Sequence, residues 1–212
     1  MTEAPDFTED RVRPFRFWIQ GYQNFYEPLV AAYFEAHGYK AKRPAVVSKA
    51  ELQALADALF DGRKKVGSPV DVKRVIEHLR RRTGLQADML VEDDSGAYLV
   101  ECKSWGGFAE FGEAAVRATF VGDPRNAAFL LLDRARGRDL AGKILVLSSP
   151  RDEQIDHMLG EIFRTSVRTL HLNDVLRDPA IRSSVESRLK YLDAAVAAVR
   201  EALLPGEGGP RP

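Results

Sequence analysis

Glu101, Cys102 and Lys103 lie in a run of β-forming residues. Side chains alternate faces along a strand, so Glu101 and Lys103 share one face and Cys102 takes the other. Asp88 lies in a second β-rich run, across the dense turn signal Asp93-Asp94-Ser95-Gly96. Folding the two runs into a hairpin leaves two registers open. A four-residue turn sets Asp88 opposite Glu101, and a two-residue turn at Ser95-Gly96 sets it opposite Lys103. Directly opposed residues of an antiparallel pair point the same way, so either turn gathers Asp88, Glu101 and Lys103 on one face. Adjacent carboxylates repel and call for a cation, and hard oxygen ligands with room for water suit Mg²⁺ or Mn²⁺ better than zinc. Such an ion lowers the pKa of a water and neutralises phosphoryl charge. Lys103 then holds or helps deprotonate that water, or stabilises developing negative charge. A salt-bridge ladder on a solvated strand uses the same residue types, and the residues alone leave that reading open.

The elements that must position this trio follow from periodicity. The segment EPLVAAYFEAHGY has Leu29, Val30, Tyr33 and Phe34 at helical spacing, with Pro28 in its first turn and Gly38 as its stop. A strand is expected over 39–47, demoted to an edge or a bulge by Pro44. Residues 48–83 read as a helical pair: Ser48 and Glu51 form a capping-box signature, and Val72, Val75, Ile76 and Leu79 make the second stripe. The hairpin occupies 85–105. Helices are expected over 108–120 and 125–136, then the apolar strand Lys143–Leu147. Ser149 and Pro150 open a further helix, and 167–172 reads as a strand. A last helix from about Ile181 to residue 204 places Val185, Leu189, Leu192, Val196, Val199 and Leu203 at alternating steps of four and three. That stripe docks on the domain or pairs with another copy. Residues 205–212 read as a disordered tail.

The chain has 212 residues, 45% hydrophobic and 29% charged, which fits one ordinary globular domain over 1–204 and excludes rods and disorder. One cysteine rules out an intramolecular disulfide and a cysteine-built zinc site. No apolar run is long enough to span a bilayer, and no leader-like segment opens the chain, so a soluble, cytoplasmic protein with no membrane partner is expected. The formal net charge of zero divides unevenly. Residues 40–82 carry +7, including Arg63, Lys64, Lys65, Arg80, Arg81 and Arg82, while residues 83–113 carry −6. Local field and not net charge attracts a polyanion or a cation, although charge runs are also ordinary solvated faces. Residues 11–26 interleave arginine with aromatics, which suits either a base-stacking arm or rings pinned to the core. His37, His78, His157 and His171 are scattered, and no phosphate-cradling glycine loop occurs.

A helix with an early Glu, a strand, D–x₁₂–E–x–K on a hairpin, a helix and a short apolar strand together resemble the PD-(D/E)XK nuclease superfamily. The branch most similar holds archaeal Holliday-junction resolvases and Mrr-type restriction enzymes. The resemblance runs from about Glu27 to Leu147. It implies an α/β fold with a restriction-endonuclease-like αβββαβ core over about 22–150, with 48–83 as a helical insertion. It also implies a Mg²⁺-dependent deoxyribonuclease acting in restriction, phage defence or repair. Asp88 and Glu101 match the acidic ligands, Lys103 the catalytic lysine, and Cys102 the residue whose backbone carbonyl reaches the metal. Glu27 matches the acidic residue of the first helix. The proline that names the motif is absent, Ala87 standing before Asp88. On this reading the basic insertion grips DNA phosphates, Trp105 stacks a base or walls the cleft, and a homodimer suits cutting of both strands. A catalytically silent nuclease-like domain for DNA binding or assembly is the alternative.

Overall fold

Two near-continuous β-forming apolar runs, buried on both faces, drive the central hairpin. In the computed structural model, which describes residues 26–103, 114, 117–147 and 153–203, strand β4 (Met89–Asp93) pairs antiparallel with β5 (Gly96–Lys103). Asp93 ties the turn: its Oδ1 accepts from Ser95 N at 2.9 Å and from Gly96 N at 3.1 Å. Gly96 adopts φ +153, and a Cβ there would sit 2.7 Å from that of Ala141, so this corner demands glycine. Glu92 opposes Ala97, which is the four-residue-turn register.

The hairpin is the centre of a mixed five-stranded sheet. The edge strand β1 (Lys40–Lys42) pairs antiparallel with β4. On the other side β8 (Gly142–Leu147) runs parallel to β5, and β9 (Val167–His171) parallel to β8. Side-chain alternation sends Leu90, Leu99, Leu145 and Leu147 into one apolar cluster and Met89, Val91, Val100 and Val146 into another. Helix α1, residues 26–36, covers the second face through Tyr26, Val30 and Phe34, joined by α6 (Leu172–Arg177). The first face carries α2 (Lys49–Phe60), α3 (Val72–Arg81), α4 (Pro124–Leu131) and α5 (Glu153–Phe163). The protein is therefore α/β, with helices on both faces of a mixed sheet. A long final helix, α7 (Arg182–Leu203), follows a 3₁₀ turn over Pro179–Ile181. Among the described residues no helix is long and apolar enough to cross a membrane.

Several expected elements change shape. The single strand over 39–47 is two: β1 stops at Lys42, and β2 (Ala45–Ser48) pairs with β3 (Gly84–Ala87) in a separate small sheet. Pro44, with a fixed φ and no N–H to donate, stands at the break. The run 85–92 splits likewise at Asp88, where the chain passes from the small sheet to the large one. The segment expected as a helical insertion, 48–83, is thus a helical pair on a two-stranded base, not helices alone. Its expected capping box is present, Ser48 Oγ accepting from Glu51 N at 3.3 Å and Glu51 accepting from Ser48 N at 2.8 Å. The helix expected over 125–136 ends at Leu131 and gives way to a tiny hairpin, β6 (Arg134–Ala135) and β7 (Arg138–Asp139). Its turn residues Arg136 and Gly137 both have positive φ, 54° and 74°, as a primed hairpin turn needs. Lys143 is buried on β8, where its Nζ donates to Leu132 O and, at 3.2 Å, to Thr165 Oγ1. The segment 11–25, most of the helix expected over 108–120, the Ser149-Pro150 cap and the 205–212 tail lie outside the described residues. From 117 to 121 the chain forms a π-helical turn.

Candidate active site

Strand β5 brings Glu101 and Lys103 to the carboxyl end of the sheet, the end where open α/β sheets receive their ligands. Lys103 Nζ donates to Glu101 Oε1 at 2.6 Å, and Glu101 is 5% exposed. Asp88 stands one residue before β4 begins, on the register line that faces Glu101. With no strand left to pair there, the N–H of Cys102 turns to Asp88, donating to Oδ2 at 2.6 Å. The sequence pattern D–x₁₂–E–x–K is thereby one cluster, as the four-residue turn requires.

Helix α1 supplies the fourth residue. The Tyr26 hydroxyl, fully buried, donates to Val146 O at 3.2 Å and fixes the start of the helix over β8. The next residue, Glu27, accepts from Arg43 Nη2 at 2.8 Å. Arg43 sits one residue beyond β1, beside the strand that follows Asp88. Neither Tyr26 as an anchor nor Arg43 as a partner is visible in the sequence. Arg43 sits in a basic block with nothing to single it out, and only the break at Pro44 places it here.

The electrostatics are those of crowded like charges. Burial first, then the Glu101 carboxylate, push the Asp88 carboxyl up to about 7, with Glu27 adding to the rise. The Cys102 N–H and the Lys103 ammonium work against it. The Cys102 thiol is pushed well above its ordinary value, mainly by burial and next by Asp88. That keeps it protonated and buried in the α1 face, a packing residue and not a nucleophile. Three carboxylates, Glu27, Asp88 and Glu101, face two cations, Arg43 and Lys103.

Among the described residues no group of three or more His, Cys, Asp or Glu side chains is disposed to hold a metal ion by itself. Asp88 and Glu101 nonetheless suit a small divalent cation as a pair. Mg²⁺ is commonly held by one or two carboxylates, with waters and substrate oxygens completing its shell. A carboxyl raised to about 7 by burial and by a neighbouring carboxylate is a group that such a cation would discharge. The Cys102 carbonyl belongs to the same stretch of β5 and could add a neutral oxygen.

The other expected site residues lie elsewhere. Arg80, Arg81 and Arg82 are exposed at the end of α3, and Arg80 stacks its guanidinium 5.4 Å over the exposed Phe60 ring. Lys65 is exposed, and Arg63 makes an exposed ion pair with Asp61 at 2.8 Å. Lys64 is half-buried and tied to Asp133 at 2.8 Å, so it braces the stretch between α2 and α3 against the loop after α4. Trp105 lies outside the described residues.

Compared with known proteins, the chain matches no family model and no curated protein. Among solved structures it is similar to a crystal structure of a protein of unknown function, AF1548, at 15% identity and a TM-score of 0.42. The match covers 76% of this chain and spans 65% of the length of that one.

Proposed function

We propose that the protein is a metal-dependent DNA endonuclease of the PD-(D/E)XK type, hydrolysing phosphodiester bonds in restriction, phage defence or repair. On this reading α1, β1, β4, β5, α4 and β8 are the αβββαβ core, and β2–α2–α3–β3 is an insertion in it. One observation carries the proposal. Residues far apart in the chain, Glu27, Asp88, Glu101 and Lys103, meet at the carboxyl end of the sheet, where Asp88 and Glu101 crowd each other.

Asp88 and Glu101, with the Cys102 carbonyl, would hold Mg²⁺ or Mn²⁺. The ion supplies Lewis acidity toward the phosphoryl oxygens and a water of lowered pKa. Every other part belongs to the chain. Lys103, oriented by Glu101 at 2.6 Å, presents its ammonium to the attacking water or to the phosphoryl oxygen that gains charge. Water adds to phosphorus, one bridging P–O bond breaks, and the departing oxygen takes a proton. Glu27, steadied by Arg43, holds its carboxylate at the rim of the pair and positions water. The exposed arginines of the insertion contact phosphates, giving affinity without reading sequence.

Cleavage of supercoiled plasmid and of branched DNA with Mg²⁺ or Mn²⁺ tests the reading. Metal-dependent cutting by the wild type, lost in Glu101→Ala and Lys103→Ala, supports it. Absence of metal-dependent cutting of any DNA form, or cutting indifferent to both substitutions, overturns it in favour of a silent nuclease-like domain.

A further inference from the structure

We infer that α7 is a self-association helix, which pairs with the same helix of a second copy as a parallel two-stranded coiled coil. The base of the helix is anchored. Ile181 is 1% exposed, and Val185 packs on the cluster that holds Leu172 and Val175. Among the side chains described from Glu186 to Ala197, all are exposed, with Leu189 at 49% and Tyr191 at 69%. A 22-residue helix is about 33 Å long, and most helical stability in proteins comes from packing of an apolar face.

The sequence of that helix specifies the partner. Apolar residues at 185, 189, 192, 196, 199 and 203 recur in steps of four and three, the repeat that keeps one seam toward a like helix. The seam reads Val185, Leu189, Leu192, Val196, Val199 and Leu203, aliphatic throughout. The flanking charges then choose the direction. Arg188 precedes Leu189, and Asp193 follows Leu192, so they occupy the two positions that border the seam. Residues five apart do not face each other on one helix, and neither makes an ion pair with any described residue. In a parallel pair these two positions meet across the interface, so Arg188 of each copy faces Asp193 of the other, twice by symmetry. An antiparallel pair centred on Asp193 would match Glu186 with Arg200 but set Asp193 against Asp193, a repulsion that the parallel pair lacks.

Sedimentation equilibrium of the full chain over a dilution series tests this. The wild type is expected to dimerise reversibly, and Leu189→Glu to weaken the dimer at least about 100-fold, because it forces a carboxylate into the seam. Arg188→Glu is expected to weaken it about 10-fold, and the double variant Arg188→Glu/Asp193→Arg to restore it. A wild type monomeric at every concentration overturns the proposal, as does a dimer indifferent to Leu189→Glu. Failure of the double variant to rescue overturns the parallel arrangement. Thermal unfolding of dilute Leu189→Glu guards against a folding artefact. An unchanged monomer midpoint is expected, and a lowered one overturns the proposal by showing that the seam is covered within the chain.

Discussion

Glu92 and Glu101 are both buried carboxylates on the same face of one hairpin, and they are held in opposite ways. Glu92, 8% exposed, lies near the turn, where Arg138 donates to it at 2.8 Å and Lys42 reaches both its oxygens at 3.3 Å. Glu101, 5% exposed, lies at the far end with Lys103 as its cation but with Asp88 beside it and Glu27 nearby. Between them the cross-strand pair Leu90 and Leu99 forms an apolar spacer. Burial of charge is common to both ends, and its balance is not. Two cations neutralise one carboxylate at the turn, which is a finished structural site. Three carboxylates share two cations at the strand ends, which leaves a deficit that a divalent cation can fill. Buried charges are paired or bind metals; the turn end is paired, and on the proposed reading the strand end is the one that would take a metal.

The largest effect that could break the contrast is catalytic. Glu101→Ala or Lys103→Ala should cost about 100- to 10,000-fold in metal-dependent cleavage, the range for loss of a positioned acid, base or charge stabiliser. Glu92→Gln should leave the specific rate unchanged in the same assay. Equal losses at both ends would erase the distinction.

The next effect is in stability. The Asp88 carboxyl lies at about 7 when folded, against 3.8 ordinarily. The folded state therefore binds the proton more tightly, and the stability it adds is fully present below pH 4 and lost as pH rises toward 7. The metal-free protein should lose on the order of a few kcal/mol across that window, and Asp88→Asn should flatten the slope in urea unfolding. Above pH 7, Mg²⁺ should raise the thermal midpoint of the wild type and of Glu92→Gln, but not that of Glu101→Ala. A pH slope unchanged by Asp88→Asn would remove the crowding argument.

A smaller loss is expected at the balanced end. Glu92→Gln leaves Lys42 and Arg138 without their carboxylate, but these are 44% and 60% exposed, so solvent screens most of the cost. About 1 kcal/mol is expected, by chemical denaturation at neutral pH. The smallest effect lies away from both ends: Arg81→Ala should weaken DNA binding a few-fold and lower its salt slope by about one. A flat salt response in the wild type would remove the insertion from the interface.

Much of the frame is legible in the chain. Two β-rich runs around the turn signal at Asp93–Gly96 give β4 and β5, the run KILVL gives β8, and the Ser48 and Glu51 spacing gives the start of α2, because each depends on contacts between near neighbours. Local signals fail where distant segments compete for one stretch. Pro44 and Asp88 each look like a point within a strand, yet both are places where the chain changes sheets, since β2 and β3 find each other and leave β1 to β4. The hairpin at Arg136 was hidden because arginine is no signal for a left-handed turn. Arg43 and Tyr26 acquire meaning only from neighbours more than ten residues away.

Strand periodicity, legible in the chain, puts Glu101 and Lys103 on one face, whereas Asp88 comes opposite Glu101 only because the folded hairpin takes the four-residue-turn register. The same periodicity points Cys102 the other way. Tertiary structure alone decided that Glu27 and Arg43 join them, because helix α1 is placed by the burial of Tyr26 against β8. It alone decided, too, which buried carboxylate is neutralised. Identical glutamates on one face differ only in the charges that other strands and hairpins bring to them, and no local pattern encodes that.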